Sequence, residues 1–210
     1  QFDHYFSDLE VSKKDFITKF KLNEKMNTLF FATRGPNTYA SNAEIIREIC
    51  NSIRNKEILN SQLIVRIHPL HYSNDKFEKY KILFKTYRDL EHEFNDILRI
   101  NYPVFENSDT NFFLKKENSL DLHSLIKYSD VIINVFSTVN IEGAIFDKPL
   151  ININYQKNTN FYNKNMKSRY DINIDFKQDH NQRILSTEGI VNCWNDKELN
   201  NAINEAIKYP

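Results

Sequence analysis

The chain contains few of the residues on which several common kinds of site depend. Three of its 210 residues are glycine, and neither a Walker phosphate loop nor a GxGxxG fingerprint is present. The two cysteines, Cys50 and Cys193, stand apart from each other and from Cys/His clusters, so neither a disulfide framework nor a zinc site is indicated. Cysteine usage therefore favours a reducing, cytoplasmic setting, and we expect no metal site.

Long hydrophobic runs and an excess of one charge are also missing. No apolar run approaches the roughly 20 residues that a membrane span needs, and no signal peptide is visible. Lys and Arg together number 28, as do Asp and Glu, so nothing favours nucleic acid as a partner. The apolar content of 40% is enough for one sizeable core. Because the chain starts with Gln rather than Met, we expect a fragment or a processed protein.

Strand-like and helix-like segments alternate along the chain, which predicts an α/β domain with a mostly parallel sheet. We treat residues 1–25 as a linker-like lead-in and residues 26–210 as the domain. The predicted strands are residues 28–33, 62–67, 97–100, 131–133, 150–153 and 190–193. The predicted helices are residues 41–56, 74–94, 119–128, 139–146, 179–186 and 196–207. Residues 156–167 are rich in Asn and Lys without periodicity, which predicts a mobile loop.

The most informative stretch is KYSDVIINVFSTVNIEGAIFDKPLININY, residues 127–155. It places Ser137 and Thr138 between a buried strand and a helix of about two turns, where backbone N–H groups favour an anion. Glu142 follows one turn later and could accept hydrogen bonds from ribose hydroxyls. The pattern indicates a site for a nucleotide diphosphate. The plainer alternative is that Ser137 or Thr138 only caps the helix and that Glu142 is a solvated first-turn carboxylate.

Two further loops are predicted at the same edge of the sheet. His68 ends the second strand in VRIHPLHY, where an imidazole can donate to a phosphate oxygen, and Pro69 restricts its backbone to extended angles. After the first strand, Gly35 permits a tight turn and Arg34 could reach an anion. For each loop the alternative is an ordinary surface residue.

Two other residues are weaker candidates for the same site. His180 opens a predicted helix, where capping or solvent contact is the simpler role. Arg66 precedes His68 by two residues in the second strand.

These elements together resemble the carboxyl-terminal, donor-binding domain of glycosyltransferases that have the two-domain GT-B architecture. They are most similar to bacterial capsule and teichoic-acid transferases of the CDP-glycerol glycerophosphotransferase type. The family pattern is an HP turn, then Asp-Tyr-Ser-Ser, an acid four residues on, and Gly-Lys-Pro. The matching positions in this chain are His68, Pro69, Ser137, Thr138, Glu142, Lys148 and Pro149. Val135, Phe136 and Asp147 depart from the pattern, which puts CDP-glycerol as the particular donor in doubt.

The resemblance implies a Rossmann-like, three-layer α/β/α domain that forms one half of a GT-B fold. It implies a nucleotide-activated sugar or polyol as donor substrate, no cofactor, and a metal-independent mechanism in which His68 acts as the catalytic residue. Arg34, Gly35, Pro69, Ser137, Thr138 and Glu142 would complete the donor site. An amino-terminal GT-B domain, missing here, would bring a glycan or lipid-linked acceptor at the inner face of the membrane, where the protein would have peripheral contact.

Three other functions fit part of the pattern. A UDP-sugar 2-epimerase-like isomerase would share the fold and a Ser-rich turn followed by Glu. A non-catalytic module that binds nucleotide or glycan would need only the cleft. An α/β domain with capped helices and a surface His would need no ligand, and donor binding separates this last alternative from the others.

Overall fold

The computed structural model describes residues 11–36, 38–69, 78–104, 116–157 and 171–209. Its strands are β1 (Asn27–Ala32), β2 (Ser61–Arg66), β3 (Leu98–Asn101), β4 (Val131–Asn134), β5 (Leu150–Ile153) and β6 (Ile190–Cys193). Its helices are α1 (Lys13–Phe20), α2 (Asn42–Arg54), α3 (Glu78–Glu93), α4 (Lys116–Tyr128), α5 (Val139–Ile145), α6 (Ile172–Phe176), α7 (Asp179–Leu185) and α8 (Asp196–Lys208). The strands form one sheet in the order β3-β2-β1-β4-β5-β6, and every ladder between them is parallel.

Helices cover both faces of this sheet, which confirms the predicted fold class. On one face, Leu29 and Phe31 of β1 pack in a cluster with residues of α2, α3 and α8. On the other face, Phe30 and Ala32 pack with residues of α1, α4 and α5. Successive side chains of a strand point to opposite faces, so a strand covered on both sides must be apolar at nearly every position. The short apolar runs of the sequence therefore become the buried strands of a three-layer domain.

The predicted elements recur with shifted ends. Strands β1 and β2 each begin and end one residue before the prediction, because the ladder from Asn27 to Ser61 extends the pairing at that side. The short helix α6 was not predicted. Within the lead-in segment, α1 packs Phe16 and Phe20 into the core. Residues 74–77, the predicted start of α3, and residues 158–167 of the predicted loop lie outside the described residues.

Because all six strands run the same way, the sheet has two distinct edges. We call the side where the strands end the carboxyl edge and the side where they begin the amino edge. Ligands of open parallel sheets bind at the carboxyl edge. Within the described ranges, no helix is both long and apolar enough to cross a membrane.

Candidate functional site

Arg34 ties the loop after β1 to the loop after β4. Its Nη1 donates to the main-chain oxygens of Val135, at 3.1 Å, and Phe136, at 3.2 Å. Its Nη2 lies 2.7 Å from the carboxylate of Asp175, a side chain with only 2% of its surface exposed. Sequence analysis weighed Arg34 as a surface residue or an anion clamp. In the structure Arg34 is partly buried and braces the turn before Ser137, and its role as an anion clamp stays a prediction.

The loop that carries Arg34 is itself held by an asparagine. Asn42, fully buried at the start of α2, accepts from the Arg34 amide at 3.1 Å and donates to the Arg34 carbonyl at 2.9 Å. The carbonyl oxygen of Gly35 accepts from the amides of Thr38 and Tyr39, each at 3.0 Å. The turn predicted at Gly35 is therefore present, and its backbone is fixed from both ends.

His68 joins the same edge through Thr33. The Thr33 hydroxyl accepts from the His68 amide at 2.8 Å and donates to the Arg66 carbonyl at 3.2 Å. Thr33 follows β1 and His68 follows β2, so this contact fixes the two strand ends side by side. The three predicted loops, after β1, β2 and β4, are thus connected by hydrogen bonds at one edge of the sheet.

The electrostatic setting of His68 favours its neutral form. Burial lowers the pKa of the half-buried imidazole, and the nearby positive charges of Arg34 and Arg66 lower it further. A phosphate group beside His68 would oppose all three effects, because a negative charge favours the protonated ring. The site therefore combines a neutral imidazole with a positive surrounding potential.

The turn that carries the hydroxyl pair has a strained start. Phe136 has a φ of 44°, in the left-handed region that bulky residues rarely adopt, and its amide donates to Asn152 Oδ1 at 2.7 Å. Ser137 is half-buried and its hydroxyl accepts from the amide of Val139 at 3.3 Å. Thr138 is exposed, and its side chain makes no capping bond to the described helix. Helix capping thus explains one hydrogen bond of the Ser137 hydroxyl, but it does not explain why a hydroxyl stands at Thr138.

Sequence analysis missed a row of asparagines beneath this turn. Asn134, Asn152 and Asn192 are in register on β4, β5 and β6. Asn134 Nδ2 donates to Asn140 Oδ1 at 2.5 Å, and Asn152 Nδ2 donates to Asn192 Oδ1 at 2.6 Å. The sequence carries a signal for this row, because each asparagine is the last or next-to-last residue of an otherwise apolar strand. The row fixes the strand ends and the turn that rises from them.

Helix α5 is seated close to the sheet. A Cβ atom added at Gly143 would lie 2.5 Å from Leu150 Cδ2 and 2.9 Å from Ile132 Cδ1, so glycine allows this close approach. Glu142 is buried, with 8% of its surface exposed, and it makes contacts within the protein. It is therefore not the solvated carboxylate that the plainer alternative required.

The turn after α5 explains one departure from the family pattern. Asp147 has a φ of 50°, a left-handed conformation in which glycine is most favourable and Asp is tolerated. The Lys148 amide then donates to the Gly143 carbonyl at 3.1 Å, which closes the helix. Asp147 thus adopts the backbone conformation that glycine would favour at this position.

Two weaker candidates lie away from the connected loops. His180 is exposed on α7. Arg66 is 7% exposed, and it donates through Nη1 to Asn101 Oδ1 and through Nη2 to the Asn118 carbonyl at 3.3 Å, toward α4. Arg66 therefore affects the site through its charge on His68, whereas no bond between His180 and the connected loops is found among residues 171–209 and the other described ranges.

A cavity of 470 Å³ lies at the amino edge, opposite the predicted site. It is lined by Lys13, Lys14 and Lys25 together with the starts of β1 and β2. Two of its polar groups are bonded within the fold: the Thr28 amide donates to Asp130 Oδ2 at 2.7 Å, and Gln62 Nε2 donates to the Asn23 carbonyl at 2.9 Å. The connected loops with the strained turn lie instead at the carboxyl edge.

Known sequences include a relative of this chain. No protein-family model matches the chain. Over 116 residues the chain is 26% identical to the teichoic acid glycerol-phosphate primase of Bacillus spizizenii, a match that covers 52% of this chain and 30% of the primase. This likeness confirms the resemblance to bacterial teichoic-acid enzymes that the motifs indicated.

Comparison with solved structures supports the fold. UDP-GlcNAc 2-epimerase from Methanocaldococcus jannaschii matches with a TM-score of 0.51 and 16% identity, over 93% of this chain and 43% of the epimerase. ADP-heptose heptosyltransferase II from E. coli matches with a TM-score of 0.47 and 12% identity, over 95% of this chain and 53% of that enzyme. The first likeness shows the fold alone, and the second is too low to carry an argument. The chain spans less than half the length of the primase and of the epimerase.

Proposed function

We propose that the chain is the donor-binding domain of a glycosyltransferase or glycerophosphotransferase-type enzyme that builds bacterial surface polysaccharide. The observation that carries the proposal is the connection of three loops at the carboxyl edge. Arg34 bonds to the turn before Ser137, and Thr33 bonds to His68. The sequence likeness to a teichoic acid primase supports this class of enzyme over an isomerase of the same fold.

The donor's phosphates would bind between His68 and the hydroxyl pair. Ser137 and the exposed Thr138 can donate to phosphate oxygens, and His68 can donate to the same group and stabilise the charge that develops on the leaving nucleotide. Glu142 is our proposed partner for the ribose hydroxyls. Arg34, Gly35 and Pro69 shape the backbone around the donor. Helix, hydroxyl and imidazole donors would then supply the stabilisation that a metal ion gives in other transferases.

The acceptor would come from a second domain. In the two-domain plan the donor lies in a cleft, and the partner domain presents a growing glycan or a lipid-linked acceptor. That plan fits a chain that covers 30% of the primase. We place the reaction in the cytoplasm, at the inner face of the membrane.

Calorimetric titration with CMP, CDP, UDP and GDP tests the proposal. We expect one nucleotide to bind, and His68→Ala and Ser137→Ala each to weaken its binding by about 1–3 kcal/mol, the scale of a lost hydrogen bond to a charged group. His180→Ala and Ser186→Ala are matched controls, because both residues are exposed. The proposal fails if the full-length protein binds none of the four nucleotides, or if the controls weaken binding as much as the site variants.

A further inference from the structure

Asn154 is a buried side chain whose polar atoms have nothing to bond to in the described part of the chain. It is 3% exposed, and its backbone amide donates to the Cys193 carbonyl at 2.8 Å. Neither Nδ2 nor Oδ1 has a hydrogen-bond partner among the described residues. A buried polar group without a partner costs stability, so native proteins keep such a group where something else completes it.

The other asparagines at the ends of these strands are completed by the fold. Asn152 accepts from the Phe136 amide at 2.7 Å and donates to Asn192 at 2.6 Å. Asn134 donates to Asn140 at 2.5 Å and accepts from the Ser137 amide at 3.2 Å. These two side chains stabilise the fold, whereas the side-chain amide of Asn154 makes no hydrogen bond to any described residue.

The position of Asn154 places its side chain beside the proposed donor site. Asn152 and Asn134 are register partners, and Asn134 is the register partner of Ala32. Asn154 follows Asn152 by two residues and its amide continues the ladder to Cys193, so its side chain lies on the same face as that of Asn152. Asn152 in turn accepts from the Phe136 amide, in the turn before Ser137. Tyr155 confirms the alternation, since it packs against the opposite cluster and its hydroxyl donates to Asp196 at 2.7 Å.

We propose that Asn154 reads the nucleobase of the donor. This inference rests on the proposed function, and it adds a specificity-determining residue to that site. The amide offers one donor and one acceptor side by side, which matches the edge of a nucleobase that carries an adjacent acceptor and donor. A phosphate offers only acceptors and would leave Oδ1 unpaired.

The spacing agrees with this assignment. Adjacent strands lie about 4.8 Å apart, so Asn154 is one strand away from the turn of Ser137 and Thr138. A nucleotide whose phosphates bind at that turn extends its ribose and base past the neighbouring strand end. The base is then the part of the donor that meets a neutral amide, while the charged part stays with the hydroxyls and His68.

The test measures nucleotide affinities of the wild-type protein and of Asn154→Leu, which keeps nearly the same volume. For the wild type we expect at least a tenfold preference between the best and the worst of CDP, UDP, GDP and ADP. For Asn154→Leu we expect the best ligand to bind at least tenfold more weakly and the preference to shrink to about threefold or less. Pyrophosphate, which has no base, should bind both proteins equally.

Stability measurements guard against a misfolded variant. Asn154→Leu should unfold at the same temperature as the wild type or higher, because it removes an unpaired amide. Asn152→Leu is the matched control, and it should unfold at a lower temperature because it breaks two hydrogen bonds. If Asn154→Leu fails to fold, Asn154→Asp replaces it. Loss of the amide donor should then change which base binds best, and an unchanged order of bases would overturn the proposal.

The outcomes separate this inference from the function on which it rests. If no nucleotide binds the wild-type protein, the proposed function fails and the inference with it. If nucleotides bind and Asn154→Leu keeps the wild-type affinities and base preference, only the inference is wrong. A third outcome is that Asn154→Leu lowers the affinity for all four nucleotides equally, and that the two proteins bind the 2′-deoxy form of the best ligand with the same affinity. Asn154 would then contact the ribose, and the base assignment would be overturned.

Discussion

The two edges of the sheet differ in where the backbone is strained. Six described residues other than glycine have a positive φ, and five of them lie at the amino edge: Lys21, Lys56, Asn60, Asp147 and Glu188. Those five are charged or polar residues in turns that lead into strands, where a left-handed residue is common. The sixth, Phe136, is an aromatic residue at the carboxyl edge. A strained conformation persists only where the surrounding structure enforces it, and such residues cluster at functional sites.

The edges also differ in how their polar groups are satisfied. At the amino edge, Gln62 Nε2 donates to the Asn23 carbonyl at 2.9 Å and to Thr28 Oγ1 at 3.1 Å. At the carboxyl edge, the pKa of His68 is lowered, and the Asn154 side chain has no hydrogen-bond partner in the described residues. Thr28 and Gln62, which line the cavity at the amino edge, are thus bonded within the fold, whereas His68 and the Asn154 side chain would gain from a ligand at the other edge.

The largest effect is expected from Arg34→Met. Asp175 would be left buried without its cation, which costs about 3–5 kcal/mol in comparable pairs, and the Phe136 turn would lose its brace. Chemical denaturation measures the loss. The matched control is Arg47→Met, whose pair with Glu93 is about half exposed, at 46% and 45%, and should cost no more than about 1 kcal/mol. Equal losses in both variants would contradict the role given to Arg34.

Gly143→Val should have the next largest effect. The added side chain meets Leu150 and Ile132, so α5 must shift, at a cost of about 1–3 kcal/mol and with weaker nucleotide binding. Gly189→Val is the control, because the nearest atom to its Cβ is Thr187 Oγ1 at 3.6 Å. A Gly143→Val protein with unchanged stability and affinity would show that the seating of α5 does not matter to the site.

The pKa of His68 predicts a pH dependence of binding. A bound phosphate raises the lowered pKa, so binding takes up a proton and affinity should rise as pH falls from 8 to 6, by about threefold to tenfold. The His68→Gln variant is the control for titration of the phosphate itself. Calorimetry at several pH values measures the nucleotide affinity of both proteins. If the two proteins show the same pH profile, His68 does not contact the phosphate.

The same pKa predicts a change in stability without ligand. Folding lowers the pKa of His68 below its ordinary value of 6.5. The contribution of neutral His68 to the free energy of unfolding is therefore complete above pH 6.5 and is lost as the pH falls through the pKa of the folded state. Between pH 6.5 and that lowered pKa, the free energy of unfolding of the wild type should therefore fall relative to that of His68→Gln, as chemical denaturation at several pH values would measure. The opposite slope would contradict the burial of a neutral imidazole.

The smallest effect is expected at Asp147. Asp147→Ala should cost about 1 kcal/mol because alanine tolerates a positive φ poorly, and Asp147→Gly should be neutral or slightly stabilising. Thermal unfolding distinguishes the two variants. Since this turn lies at the amino edge, nucleotide affinity should stay unchanged in both, and a changed affinity would weaken the contrast between the edges.

Much of the fold followed from local pattern, and less of the site did. Alternation of apolar runs with amphipathic segments predicts the strands because each strand is buried on both faces. The role of Arg34 depends on Asp175, which belongs to a distant five-residue helix without a clear periodicity. The missing bonds of Asn154 depend on which neighbours the fold brings near it. Pairings between distant residues carry no local signal, so the sequence could predict that these loops meet at one edge of the sheet but not the contacts that hold them together.

Hydrogen exchange with and without the best-binding nucleotide tests the central claim most directly. The account predicts slower exchange in residues 33–36, 67–69 and 135–142 at the carboxyl edge, and no change in residues 21–28 and 58–62 at the amino edge. Protection confined to the amino edge would contradict it, because the nucleotide would then occupy the cavity beside α1.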